Sequence, residues 1–161
     1  MAKKGVLSQG THVWILHDDT PTLTKMSCIK ALVLGDDSTT EIATTCLEEE
    51  TTATSDWGLT TPGEGSIQID TDPKNKTHMK LLELAADRAE VGVYVGWSDG
   101  DAPPTITGSV VTLPETRTWS SFRAILRKGS PVFDPDSLVN HTVPMKRQTE
   151  VTDEFKVVTG G

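Results

Sequence analysis

EEETTATSDWGLTTPGEGS, residues 48–66, lies between two strand-forming stretches and carries one large aromatic side chain, Trp57. Connections inside compact domains typically run to about four to six residues, so a polar stretch of this length has work beyond turning the chain. The flanking sequences IATTCLEEE and SIQID both read as strands that can continue outward as a hairpin arm. Such an arm points to contact with another chain. Trp57 reads as an interface anchor or as a lid over its own domain. The anchor is favoured, because tryptophan is enriched at interfaces and the neighbouring Thr, Ser and Gly offer no local core to cover.

Working outward, HVWILH at residues 12–17 is a strand stopped by Asp18-Asp19-Thr20-Pro21, where proline and short polar side chains end sheet pairing. SCIKALVLG at 27–35 is apolar on both faces apart from Lys30, which predicts a strand deep in the protein or in a subunit contact. After a turn at residues 35–38, EIATTCL at 41–47 is rich in β-branched residues and is expected to pair with 27–35 as a hairpin. Beyond the insert, Ile67 and Ile69 alternate with Gln68 and Asp70, the pattern of a half-buried strand.

The sequence predicts one helix, at about residues 73–89. Asp72 is its expected N-cap, Pro73 its first residue, and Met79, Leu82, Ala85 and Ala89 its apolar stripe, widened by Leu81 and Leu84. Lys80, Glu83 and Asp87 mark the wet side. Val91, Val93, Val95 and Trp97 then alternate with Gly92, Tyr94 and Gly96, and Ser98-Asp99-Gly100-Asp101 makes a tight turn. Further strands are expected at 107–113, 119–128, 139–147 and 154–158. One helix among about eight strands predicts a mainly β fold: a two-sheet β-sandwich or partly rolled barrel flanked by one α-helix, with a long hairpin arm.

A chain of 161 residues fits a single domain, 1–161, and a domain of this size buries about 70% of its unfolded surface without staples. The apolar fraction of 35% is lean and suits a thin structure with much surface committed to neighbours. Cys28 and Cys46 have no CxxC spacing and are expected to be buried free thiols. Lys3 and Lys4 are followed by no apolar run, so neither a signal peptide nor a membrane anchor is expected, and the sequons at Asn75 and Asn140 are chance matches. A net charge of −8 argues against a nucleic-acid reader, which needs clustered Lys and Arg to displace counterions from phosphates.

Catalytic and metal-binding patterns are missing. His12, His17, His78 and His141 form no HxxxH or HExxH pair, and Asp36-Asp37 and Asp99-Gly100-Asp101 lack the spaced carboxylates of a calcium loop. Gly63-Glu64-Gly65 precedes a strand and lacks the lysine of a phosphate loop, so it reads as a flexible hinge at the base of the arm. There is no Gly-x-Ser-x-Gly elbow. No enzyme activity, metal or cofactor is expected. Glu48-Glu49-Glu50 reads as a solvated edge, or as a partner for Lys3, Lys4, Arg127, Lys128, Lys146 or Arg147 on a neighbouring copy.

The order of strand hairpin, TTCLEEE, a long arm with Asp56-Trp57, Gly65-Ser66-Ile67-Gln68-Ile69, the helix with His78-Met79-Lys80-Leu81-Leu82, and Val91 to Trp97 followed by Ser98-Asp99-Gly100 resembles the major tail tube protein of long-tailed, lambda-like bacteriophages. The likeness runs from about His12 to Lys156. It implies homo-hexameric rings stacked into a hollow helical tube, part of the virion tail, assembled in the host cytoplasm and conducting genomic DNA without binding it specifically. It further implies tape-measure, tail terminator and tail-tip proteins as partners, and no membrane insertion. The arm, residues 48–66, would reach the adjacent ring through Glu48, Glu49, Glu50, Asp56, Trp57 and Leu59. An N-terminal arm, 1–11, with Lys3 and Lys4, and a C-terminal tail, 151–161, would add ring-to-ring contacts. The hairpin at 28–47 would join a barrel around the bore, with Asp36, Asp37 and Glu41 as candidate lumen residues. The immunoglobulin-like extension of some members is not expected. A reading from another class is a carbohydrate-binding β-sandwich module using Trp14, Trp57, Trp97 or Trp119 as a sugar platform.

Overall fold

Alternating burial runs through the central strands of the computed structural model, which describes residues 5–17 and 21–157. Twelve strands and one helix follow in chain order: β1 His12–His17, β2 Thr22–Met26, β3 Ile29–Val33, β4 Ser38–Ala43, β5 Ser55–Thr61, β6 Glu64–Asp70, α1 Lys76–Ala86, β7 Glu90–Gly96, β8 Thr105–Thr107, β9 Val110–Thr112, β10 Trp119–Leu126, β11 Asn140–Arg147 and β12 Thr152–Glu154. The main sheet runs β2-β1-β7-β10-β11-β6-β3, and β12 pairs with the first half of β10 while β11 pairs with its last residues. Two small hairpins, β4-β5 and β8-β9, stand apart from it.

The main sheet is curled. Its outermost strands, β2 and β3, are consecutive in the chain and separated only by Ser27 and Cys28, so both ends of the sheet meet at one corner without pairing. The seam between them stays open as a cleft of about 910 Å³, lined by Met26, Ile29, Leu32, Leu34 and Val95 and bordered by Val6 and Leu7. Inside the curl, Ile15, Ile67, Ile69, Val91, Val93, Phe122, Ala124, Leu126, Val143 and Met145 form one core with Leu81, Leu84 and Ala85 of α1. Removing these side chains from water, at roughly 25 cal/mol per Å² of apolar surface, is the main force that keeps the sheet curled around the helix.

The helix starts later than its sequence suggests. Asn75, not Asp72, is the N-cap, its side chain accepting from the Thr77 amide at 3.0 Å. Pro73 lies ahead of it in a turn closed by Asn75 N–H on Asp72 O. The C-terminus is a Schellman motif: Ala89 donates to Leu84 O, Arg88 donates to Ala85 O, and Arg88 takes the left-handed conformation at φ 52°. The buried face is His78, Leu81, Leu84 and Ala85, so the centre of the stripe is displaced from the expected Met79-Leu82 line. His78 is fully buried. Its Nδ1 accepts from the Asp72 amide, which leaves the proton on Nε2 to donate to Ser27 O at 2.7 Å. The helix start is thereby tied to the corner where β2 becomes β3.

Several strand expectations are corrected. Residues 27–35 do not form one strand, because Cys28 adopts φ 54° at the corner. The expected hairpin of 27–35 with 41–47 does not form either: β3 pairs with β6, and β4 pairs with β5. Both pairings belong to one long hairpin that bends between its two halves, so the bend occupies the place of the expected turn. Residues 107–113 are replaced by the β8-β9 hairpin, turning at Gly108 with φ 63°. Cys28 and Cys46 are free but exposed, one at the corner and one near the arm tip, where apolar neighbours in sequence do not become neighbours in space.

The outer face of the sheet holds a second buried cluster. Arg117 lies between the rings of Trp14 and Trp119, with its guanidinium carbon 5.4 and 5.3 Å from the ring centroids. It donates to Trp97 O at 2.7 Å and Gly96 O at 2.8 Å. A Cβ at Gly96 would lie 2.6 Å from that guanidinium, which accounts for the glycine.

Candidate assembly arm and its base

β4 and β5 project from the body as the distal half of the hairpin that begins with β3 and returns through β6. Ser38 to Ala43 pairs with Thr61 to Ser55, with a register shift between Thr39 and Glu41. Threonines supply much of the bonding near the tip. Thr44 donates its amide to Thr54 O at 2.9 Å, Thr45 Oγ1 donates to Thr54 O at 3.1 Å, and the Thr54 amide donates to Thr45 Oγ1 at 2.7 Å. The Glu49 carboxylate accepts from the Thr51 amide at 3.0 Å, from Thr51 Oγ1 at 2.9 Å and from the Thr52 amide at 3.2 Å. These bonds, led by the Thr51 amide, hold Glu49 below the usual carboxylate range. Glu49 is thus an organiser of the tip, while Glu48 and Glu50 are exposed beside it.

Large apolar side chains on this arm are left in water. Trp57 is 73% and Leu59 81% exposed, on one face of β5, and Ile42 is 52% exposed across Gly58 on the other. Asp56 accepts from the Trp57 amide at 2.8 Å. Glu41 stands opposite Trp57 in the β4-β5 register. Trp57 therefore covers no part of its own core. Of the sugar-platform candidates, Trp14 and Trp119 are buried and Trp97 donates to Ser120 Oγ while meeting Phe155 edge-on, which leaves Trp57 as the open ring.

The expected flexible hinge at the arm's base is instead a tight crossing of backbones. A Cβ on Gly63 would lie 2.2 Å from Asp36 O, and one on Gly65 2.2 Å from Val33 O, so only glycine lets the two chains touch here. Arg147, at the end of β11, is buried at this point. It donates from Nε to Leu34 O at 2.8 Å, from Nη2 to Gly35 O at 3.1 Å and to the Asp37 carboxylate, and from Nη1 to Thr149 O at 3.1 Å. Its amide donates to Gly63 O, and the Gly63 amide to Asp37 Oδ1 at 3.1 Å. Arg147 is therefore unavailable as a partner for acidic residues of another copy, and Asp37 is already paired. Asp36 is exposed, as is Glu41. Lys3 and Lys4 lie outside the described residues.

The Arg147 hydrogen bond, followed by that from the Gly63 amide, lowers the Asp37 pKa from its ordinary 3.8. A carboxyl whose folded pKa is depressed contributes stability above its unfolded pKa and loses that contribution as pH falls through the folded value. The amide resonance of Gly63 should stay constant from pH 8 down to pH ~5 and shift with a midpoint below 3.8. A midpoint above that value would show that the pair is not formed.

Among the described residues no group of His, Cys, Asp and Glu could hold a metal, and no helix is long and apolar enough to cross a membrane. Residues 4–157 match the family model described as phage tail tube, TTP, lambda-like. The chain belongs to the lambda-like phage tail tube family. It is a structural component of the virion tail, not an enzyme. Structural protein 3 of Pseudomonas phage PAJU2 is 34% identical over 149 residues, spanning 89% of this chain and 90% of that one. Among solved structures, a chain of the six-fold symmetrised baseplate of the anti-feeding prophage superposes with a TM-score of 0.66 at 10% identity, covering 98% of this chain and all of that one. A chain of the SPP1 tail tube gives 0.65 at 6% identity over 96% of this chain and 82% of its own. A chain of the PVC sheath/tube terminator of an extracellular contractile injection system gives 0.66 at 8% identity, covering 96% and 99%. At these identities the superpositions show that this tail tube chain shares their mainly β fold with one helix.

Proposed function

We propose that this tail tube protein closes into hexameric rings that stack into the hollow tube through which genomic DNA passes, with the β4-β5 arm reaching a neighbouring copy. The observation that carries the reading is the arm itself: a paired hairpin standing off the body sheet with Trp57, Leu59 and Ile42 in water. An interface that buries such anchors recovers the free energy that their exposure forgoes, and tryptophan commonly dominates binding where it is enclosed. Pairing across copies also covers the open edges of β2 and β3, which a lone subunit leaves as templates for aggregation.

Charge fits passage of DNA. Six copies at −8 each carry about −48, and an acidic bore repels phosphates so that DNA slides without sticking. Asp36, Asp37 and Glu41 are the exposed candidates to face the bore, with the Asp37 carboxylate also held by Arg147. Tape-measure, tail terminator and tail-tip proteins are the partners this role requires, with the segments at residues 1–11 and 151–161 as further ring-to-ring contacts. The test is negative-stain electron microscopy of the purified protein at high concentration, with its solution size recorded when dilute. Hollow tubes or six-fold rings are expected. Monomers at every concentration and salt would refute the proposal.

A further inference from the structure

We infer that Arg147 and Asp37 form a clamp that presets the angle between the arm and the body, making Arg147 a positioning residue for assembly; the inference rests on reading the arm as the contact between copies. The Arg147 side chain is 1% exposed and that of Asp37 27%. A buried guanidinium is an expensive way to close a bend, since its desolvation is recovered only where nearly every donor is met. Here the guanidinium donates to Leu34 O, Gly35 O and the Asp37 carboxylate where the chain enters the arm and to Thr149 O beyond β11, while the Arg147 backbone amide donates to Gly63 O where the chain leaves. The planar fork of arginine can bond its four side-chain acceptors at once, and a lysine ammonium at the same place cannot.

The surroundings remove other ways to set the angle. Gly35, at φ 78°, and Gly63 and Gly65 bring no side chains to the crossing. The nearby Arg127–Glu64 pair, 3.6 Å apart with side chains 69% and 59% exposed, is screened by water and holds little. The β4-β5 sheet is not hydrogen-bonded to the main sheet, so the bend must be fixed at its base. A preset arm loses less conformational entropy on docking than a swinging one, which lowers the concentration needed for assembly.

The chain supplies its own probes. Cys28 on the body and Cys46 near the arm tip are both exposed, and they are its two cysteines. Nitroxide labels on this pair report the distance across the bend by pulsed electron spin resonance on dilute subunits. The expected result is one narrow distribution in the native chain, broadened at least twofold by Asp37→Ala and by Arg147→Lys, with a critical concentration for assembly about tenfold higher in both. Asp37→Ala changes a partly exposed side chain, so it stays informative if Arg147→Lys fails to fold. Unchanged widths in folded variants would overturn the clamp. Broadened widths with unchanged assembly would overturn the positioning role, whereas the arm as the contact fails only if a chain without the arm still forms tubes.

Discussion

Cutting the arm back symmetrically, by replacing residues 39–60 with an Asn-Gly turn between the paired Ser38 and Thr61, is expected to leave a folded subunit that forms no tubes. The cut removes β4 and β5 beyond one pair, and with them Ile42, Trp57 and Leu59, none of which belongs to the core around Ile67, Val93 and Leu81. It spares Asp37, Gly63 and Arg147, so the base stays closed. Unfolding in urea should keep its slope, because the surface hidden in the body is unchanged. Electron microscopy at concentrations where the native chain polymerises is the decisive readout. Normal tubes from the shortened chain would remove the arm from the assembly mechanism.

Trp57→Ala is the point-substitution counterpart. With a side chain 73% exposed and no core contact, the change should move the melting temperature by about 1 °C or less. An enclosed tryptophan at an interface is worth about 2 kcal/mol or more, so the critical concentration should rise roughly thirtyfold. Light scattering across a dilution series measures that threshold, and calorimetry the stability. A collapsed melting temperature with an unchanged threshold would place Trp57 inside its own fold. Leu59→Ala, on the same face of β5, should act in the same direction with a smaller effect, since it removes less area.

Together these changes separate the body, which owes its stability to the curl around α1, from the arm, which stands on hydrogen bonds near its tip and a clamp at its base. Glu49 and the threonines at 44, 45, 51, 52 and 54 give the tip order from within. Polar segments of this length lack apolar area to bury, and local carboxylate and hydroxyl bonds to backbone amides are the substitute that loops use.

Much of this protein was legible as pattern. Alternating side chains placed β6 and β7 within a few residues, because period-two burial is a local consequence of the pleat, and an apolar run stopped by turn residues placed β1, with β10 and β11 also read as strands. The long polar insert with one tryptophan announced a hairpin arm. What the chain alone could not decide were long-range choices. Whether residues 29–33 would pair with β4 or with β6 turned on a bend at the point where Gly35, Gly63 and Gly65 let the two strands cross closely. The helix began at Asn75 because His78 had to reach Ser27 in another element. Arg147 read in sequence as a charge free to meet a neighbouring copy and Arg117 carried no signal at all, and only folding brought carbonyls, rings and a carboxylate from distant segments around them. A guanidinium is buried when its partners converge in space, and that convergence is a property of the tertiary structure, with no signature in the residues on either side.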